Sequence, residues 1–359
     1  MKILDIRTNK FSIGLKKPFK TALRTLYHIE AIIVEIVTEQ ARGYGAASPT
    51  AVITGDTNSS IIGAIDHIRQ LIIGKDVSNF EEIMTTLNKC IVGNTSAKAA
   101  IDIALYDLYG KLYNVPVYRL LGGYRDKLKT DLTISLNTPD EMATDSLKAV
   151  NEGFDNLKVK VGKDSDLDIR RMQAIRKAVG DKVKIKVDAN QGYEPKEAIY
   201  VIKRMEQKDI NIYLMEQPVH GKDIDGLKYV TENVNIPILA DESVFSPADA
   251  MNIINKRAAD IINIKLMKTG GIYNALKIIS LAEIAGMKCM IGSMMESNIG
   301  VTAAAHLGAA KKNIIEVDLD VPLLCSESQV VGGISYNKNN ILFNQEFGFG
   351  FGKIDFIDK

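Results

Sequence analysis

From about Leu128 onward, a short apolar segment, a polar turn and an amphipathic helix recur eight times. The apolar segments are TDLTIS from Thr130, LKVK from Leu157, VKIKVD from Val183, IYLME from Ile212, ILAD from Ile238, IINIK from Ile261, KCMIG from Lys288 and IIEVD from Ile314. They end on Ser135, Lys160, Asp188, Glu216, Asp241, Lys265, Gly292 and Asp318, spaced 25, 28, 28, 25, 24, 27 and 26 residues apart. A parallel strand, its crossover helix and two short loops need about that length, and eight such units close on themselves. The spacing predicts an α/β fold with a TIM-type barrel over residues 126–320. Residues 1–125 have a different texture. Stretches rich in β-branched residues, Ile3 to Ile13 and Ile29 to Val37, flank a loop expected around Lys16 to Thr25. Helical patterns follow at about Thr57 to Ile73, Phe80 to Ile91 and Ser96 to Leu112, which makes this an α+β unit. The tail 321–359, with Gly332, Gly333, Gly348, Gly350 and Gly352, lacks the barrel period and is expected to pack back on the N-terminal unit.

Charge and cysteine content narrow the function classes. Lys+Arg at 45 against Asp+Glu at 44 leaves a formal charge of +1, so no global basic field is available to hold nucleic acid or an anionic membrane. Cys90, Cys289 and Cys325 are scattered, without the spacing of a disulfide framework or a zinc site, which fits a reducing cytoplasm. The N-terminal MKILDIRTNKFS mixes charged and apolar residues, and no apolar run approaches membrane-spanning length, so neither export nor membrane anchoring is expected.

Six of the eight strand ends are ionisable, a costly choice inside a core but an expected one at the C-terminal mouth of a barrel, where the βα loops build active sites. Asp188, Glu216 and Asp241 end three consecutive strands, so their carboxylates share one arc of the rim. Three such charges call for a cation, and oxygen ligands without His or Cys suit Mg²⁺; the alternative is pairing with lysines or capping of the following helices. Lys160 and Lys265 end strands four apart in a ring of eight and therefore face each other across the mouth. Lys158 shares the inward parity of Lys160. Near a divalent cation and one another, these ammonium groups are expected to have depressed pKa values, as a base near neutral pH requires. Lys184 and Lys186 share the parity of Asp188 and are assigned interior charge balance. His28, His67, His220 and His306 show no metal-ligand spacing and are read as structural, with His220 a pocket neighbour by position. Gly270 and Gly271 are read as a βα turn, since the other glycines of a phosphate-binding loop are missing.

Lys158-Val-Lys160, Asp188-Ala-Asn190, Met215-Glu216-Gln217-Pro218, Ala240-Asp241-Glu242-Ser243 and Ile264-Lys265 resemble the enolase superfamily, in its muconate-lactonising branch. The run from Ala100 to Leu108 and Leu120-Leu-Gly-Gly123 resemble that branch's N-terminal helix and domain junction, so the likeness covers almost the whole chain. It implies a modified (β/α)₇β barrel under an α+β capping domain, with the eighth helix absent or irregular. It also implies Mg²⁺-assisted removal of a proton α to a carboxylate. By resemblance, Asp188, Glu216 and Asp241 bind metal, Lys160 and Lys265 are the acid/base pair, and Lys158 supports the enolate charge.

The remaining rim chooses among the branch's reactions. Strand eight ends Asp318-Leu-Asp320, opposite the metal arc, and two carboxylates there attract a cation. Strands about 4.8 Å apart and tilted about 36° give a barrel roughly 15 Å across, of which side chains and metal at both poles leave roughly half, and two residues of extended chain span about 7 Å. A dipeptide therefore reaches from the metal, through its carboxylate, to Asp318 and Asp320, through its ammonium. The Asp-x-Asp is similar to that of dipeptide epimerases, for which opposed lysines suit inversion: one removes the α proton and the other returns one to the opposite face. The loop from Phe19 to Thr25 resembles the specificity loop of Ala-Glu epimerases, and Arg24 offers a fork for an acidic second residue. Thr133, Ser135, Ser293, Met295 and Glu296 are candidates for orienting the peptide. The expected activity is thus a Mg²⁺-dependent L-Ala-D/L-Glu type dipeptide epimerase, plausible in murein peptide metabolism, with a homo-oligomer admissible. The alternatives are an o-succinylbenzoate synthase, an N-succinylamino acid racemase or a cycloisomerase of the same branch.

Overall fold

The computed structural model describes residues 1–327 and 330–354; the parts of the predicted tail at 328–329 and 355–359 lie outside the described residues. The chain opens with an antiparallel meander of β1 (Ile3–Lys20), β2 (Thr25–Thr38) and β3 (Arg42–Ala47). β1 and β2 pair from Ile3 opposite Thr38 to Lys20 opposite Thr25, with the register shifted between Gly14 and Phe19. The loop expected at Lys16 to Thr25 therefore shrinks to Thr21–Arg24. Pro18 is tolerated because it lies within that break in the ladder of an edge strand. Thr21 Oγ1 shapes the turn by accepting from the backbone N–H groups of Leu23 (3.1 Å) and Arg24 (3.3 Å).

Helices α1 (Asn58–Ile72) and α3 (Thr95–Leu112) pack on this sheet, α2 (Phe80–Lys89) packs on both of them, and the single turn α4 (Val117–Leu120) follows α3. The third strand has no sequence signal of its own, since RGYGAA is short and glycine-rich. Its glycines let α3 lie directly on the sheet: a Cβ at Gly45 would stand 1.9 Å from Ala100 O, and one at Gly43 2.3 Å from Ala104 O.

β4 (Lys127–Lys129) leads into the barrel strands β5 (Leu132–Ile134), β6 (Asn156–Lys160), β7 (Lys184–Asp188), β8 (Leu214–Glu216), β9 (Ile238–Ala240), β10 (Ile261–Ile264), β11 (Lys288–Gly292) and β12 (Ile314–Asp318). These eight are parallel and neighbour one another in chain order, and a bridge between Thr130 and Val317 joins the last strand to the first. The crossovers are α5 (Pro139–Asn151), α6 (Ser165–Val179), α7 (Pro195–Gln207), α8 (Ile224–Glu232), α9 (Pro247–Lys256), the turn α10 (Leu266–Thr269) with α11 (Ile272–Ile284), and α12 (Asn298–Ala310). Several start on signals legible in the chain, such as the Thr138–Glu141 capping box with Pro139 at the first helical position. After β12 only the single turn α13 (Val321–Leu324) follows, so the barrel is (β/α)₇β.

The tail forms β13 (Ile334–Asn337) and β14 (Asn340–Phe343), and β14 pairs with β4. Beyond it, Phe349 N donates to the buried carboxylate of Asp107 in α3 (2.9 Å), which also accepts from Tyr44 N (3.0 Å) and Lys111 Nζ (2.8 Å). His306 of α12 is buried against the rings of Tyr118, Phe343 and Phe349 and accepts from Tyr118 N at Nδ1 (3.1 Å). Low in the barrel, Lys186 pairs with Asp131 at 2.5 Å, both fully buried, so it does balance interior charge. Lys184 does not: it lies exposed at the other end of β7, over the ring of Tyr213. Among the described residues no helix is long and apolar enough to cross a membrane.

Candidate active site

Alternation along short parallel strands brings the strand-end side chains to one mouth. Lys160, Asp188, Glu216 and Asp318 are the last residues of β6, β7, β8 and β12, while Asp241 and Lys265 each follow the last residue of β9 and β10. Lys160 Nζ lies 2.6 Å from Asp188 Oδ2, and Lys265 Nζ 2.7 Å from Asp241 Oδ2. Lys158 Nζ stands among three carboxylates, 2.6 Å from Asp318 Oδ2, 2.8 Å from Glu216 Oε2 and 3.0 Å from Asp188 Oδ2. Lys158, Lys160, Lys265, Asp318 and Asp320 all line one small cavity of about 70 Å³, roofed by Phe19, Thr21, Leu23 and Arg24 from the hairpin. A cavity of about 390 Å³ beside it shares Phe19 and Thr133 but holds none of these lysines or mouth acids.

The electrostatics of the mouth follow from its own side chains. Burial alone lowers a lysine pKa, but contact with Asp188, Asp318 and Glu216 outweighs it for Lys158, and contact with Asp241 does so for Lys265, so both ammonium groups lie above the ordinary lysine value. In both, an Nζ within 3.0 Å of a carboxylate sets the direction, and the depression expected beside a divalent cation belongs to the loaded site. Conversely, burial would raise Asp188, yet Lys158, Lys160 and Lys265 hold it at about 2. Burial and then the neighbouring Asp188 carboxylate push Glu216 up. Asp320 is pushed up to about 6 by burial and by Asp318.

Glu216, a carboxylate raised in this way, marks a place that favours a cation. Its Oε2 is buried and accepts no hydrogen bond, the 2.8 Å approach of Lys158 being out of line for one. Three fully buried carboxylates on neighbouring strands are a hard-oxygen set that fits Mg²⁺. Among the described residues no three acidic, His or Cys side chains already form a tight ion cage; an ammonium engages each carboxylate instead.

Of the other predicted residues, Thr133, Ser293, Met295 and Arg24 reach the cavity. The Arg24 guanidinium is half-buried, its pKa lowered by burial alone, with no carboxylate against it among the described residues. Ser135 does not reach the cavity; its Oγ accepts from Lys20 N (2.5 Å) and donates to Lys20 O (3.1 Å), which pins the hairpin to the barrel. Asp318 and Asp320 are buried rather than solvated, and Asp320 Oδ2 accepts from Thr133 N at 2.6 Å. Glu296 turns its Oε1 to Met294 N (2.9 Å). The four histidines lie outside the cavity lining.

Other residues complete the site without having been singled out. Asn190 and Glu242 line the cavity and meet at 3.3 Å. Lys268 Nζ, fully buried, reaches Asp241 Oδ1 at 2.6 Å, and Asn263 Nδ2 donates to Glu216 Oε1 at 2.7 Å. Asn263 carried a usable signal, two residues before Lys265 and so on the same side of β10; Lys268 projects from a single helical turn and had none.

Two family models match the chain, Mandelate racemase / muconate lactonizing enzyme, N-terminal domain, over residues 5–122 and Enolase C-terminal domain-like over 141–352. The chain is 54% identical over 352 residues to the L-Ala-D/L-Glu epimerase of Clostridium acetobutylicum, covering 98% of each. Among solved structures, the substrate-liganded L-Ala-D/L-Glu epimerase from Bacillus subtilis superposes with a TM-score of 0.97 at 48% identity, covering 98% of this chain and 99% of the other. The dipeptide epimerase from Enterococcus faecalis, complexed with Mg and L-Leu-L-Tyr, superposes with a TM-score of 0.96 at 44% identity, covering 98% of this chain and all of the other.

Proposed function

Because this chain belongs to the mandelate racemase/muconate lactonizing enzyme family and is an isomerase of the epimerase type, we propose that it is a Mg²⁺-dependent dipeptide epimerase inverting the α-carbon of the C-terminal residue of L-Ala-D/L-Glu. The observation that carries this reading is a single cavity lined by Lys160 and Lys265 from strands four apart, with a carboxylate behind each. An α-carbon held between them presents one face to each amine. One lysine removes the α proton, the other returns a proton to the opposite face, and the configuration inverts.

Lys158, which lines the same cavity, supplies positive charge for the enolate. Asp188, Glu216 and Asp241 are the residues that would hold Mg²⁺, which when bound supplies counter-charge to the substrate carboxylate and competes with Lys160 and Lys265 for their acid partners. Asp318 and Asp320 take the ammonium of the first residue, and Arg24, a half-buried cation with no carboxylate against it among the described residues, takes the carboxylate of a Glu side chain. Thr133, Ser293 and Met295 border the peptide. An N-succinyl or succinylbenzoate substrate fits worse, since its anionic tail would face Asp318 and Asp320.

The test is α-proton exchange of Ala-Glu epimers in D₂O. Lys160→Ala and Lys265→Ala should each abolish epimerisation while retaining exchange from opposite epimers. Full epimerisation in either variant would refute the two-lysine reading. A wild-type enzyme that exchanges N-succinyl amino acids faster than any dipeptide would refute the substrate class.

A further inference from the structure

Outside the cavity, one buried carboxylate gathers three of the loops that frame the mouth. Asp168 lies in the first turns of α6 and is 0% exposed. Its Oδ2 accepts from the backbone N–H of Gly162 (2.9 Å), from that of Lys163 (3.3 Å) and from the Tyr193 hydroxyl (2.8 Å). Its Oδ1 accepts from Arg171 Nη1 (2.7 Å), and Arg171 Nε donates onward to Asn137 O (2.7 Å). Asn137, Gly162 and Tyr193 follow β5, β6 and β7 respectively, so one acid and its arginine fasten three successive βα loops.

The middle loop begins directly after Lys160, and little slack separates the two. Val161 N donates to Asp188 O (3.0 Å), and the next residue, Gly162, is the one that Asp168 holds. Gly162 has φ +107°, and a Cβ there would stand 2.2 Å from Ala189 O, so the chain is pressed against the loop after β7. Lys265 rests on different supports, with Asn263, Lys268 and Asp241 around it, and none of these shares a hydrogen bond with Asp168 or Arg171.

We propose that Asp168 is a positioning residue for Lys160 and not for Lys265, acting through the Gly162 and Lys163 amides. The inference rests on the two-lysine reading above and deepens it. An error in the Lys160 backbone displaces one amine from the α-carbon and leaves the other in place, so the loss should be one-sided.

The test substitutes Asp168→Asn, which keeps the shape but removes the charge that several donors share. Exchange of solvent deuterium into each epimer of Ala-Glu is measured separately, with Lys160→Ala identifying the epimer that Lys160 serves. Misplacement of a reacting group by about 1 Å costs up to about a hundredfold, so D168N should slow that epimer by about tenfold or more, in kcat more than in KM, and leave the other within about twofold. Tyr193→Phe keeps the carboxylate, removes one donor and should shift the same epimer by a smaller factor; it carries the test alone if D168N does not fold. Equal slowing of both epimers, or of neither, beside a one-sided K160A overturns this inference alone. A K160A variant that is not one-sided overturns the two-lysine reading and this inference with it.

Discussion

Asp318 and Asp320 stand two residues apart in opposite electrostatic conditions. Lys158, 2.6 Å away, outweighs burial and holds Asp318 far below the usual carboxylate range, whereas burial and the Asp318 charge outweigh the Thr133 contacts of Asp320 and raise it to about 6. Asp320→Asn should therefore raise KM for dipeptides more than it lowers kcat, and should affect N-succinyl amino acids less. Asp318→Asn should lower kcat as well, because Lys158 loses a partner; steady-state kinetics on both substrate types check this. Replacing Arg24 with Met removes a charge-assisted contact of about 1.5–3 kcal/mol. Ala-Glu should lose ten- to hundredfold in kcat/KM on this scale while Ala-Leu is spared, as a paired dipeptide assay would show. The mouth acids and lysines were legible because each breaks an apolar strand at its end. Their pairing was not, because whether a lysine faces a free rim or a carboxylate depends on partners up to 160 residues away, as Lys158 and Asp318 are.

The barrel strand ends were readable to within a residue, as at Lys160 and Asp188, and the crossover helices were expected between them without bounds, because period-2 and period-3.6 patterns alternate there. β3 was invisible, and the hairpin was mistaken for a loop. In both places the deciding contact is tertiary: α3 lying on Gly43 and Gly45, and Ser135 gripping Lys20. Two glycines separate these influences. Gly45→Ala drives a methyl into the α3 backbone and should destabilise the protein by about 1–3 kcal/mol or more. Gly63→Ala, in the exposed face of α1 with nothing within 4 Å of the added carbon, should stabilise it by about 0.5–1 kcal/mol. Urea unfolding of both variants reads the opposite signs directly.

Across the whole molecule, His306 couples stability to acidity. Burial lowers its pKa to about 3, against 6.5 for an ordinary histidine, because the ring is enclosed by three aromatic side chains. In the unfolded chain it takes up a proton below 6.5, while in the folded chain it stays neutral until about 3. Stability from this residue is thus intact above pH 6.5 and falls by about 1.4 kcal/mol per unit as the pH drops toward 3. His306→Phe should be less stable at pH 7, having lost the Tyr118 amide contact, but should show a shallower acid limb in urea titrations from pH 7 to 4. A steeper limb would contradict the assignment.

The Asp107 carboxylate ties together residues 44, 111 and 349. During translation, the helix bearing that acid leaves the ribosome long before Phe349 does, so one of its oxygens must wait on water until residue 349 has emerged. Nascent chains stalled before residue 349 emerges should stay open to protease at α3, and chains stalled after it has emerged should be sealed.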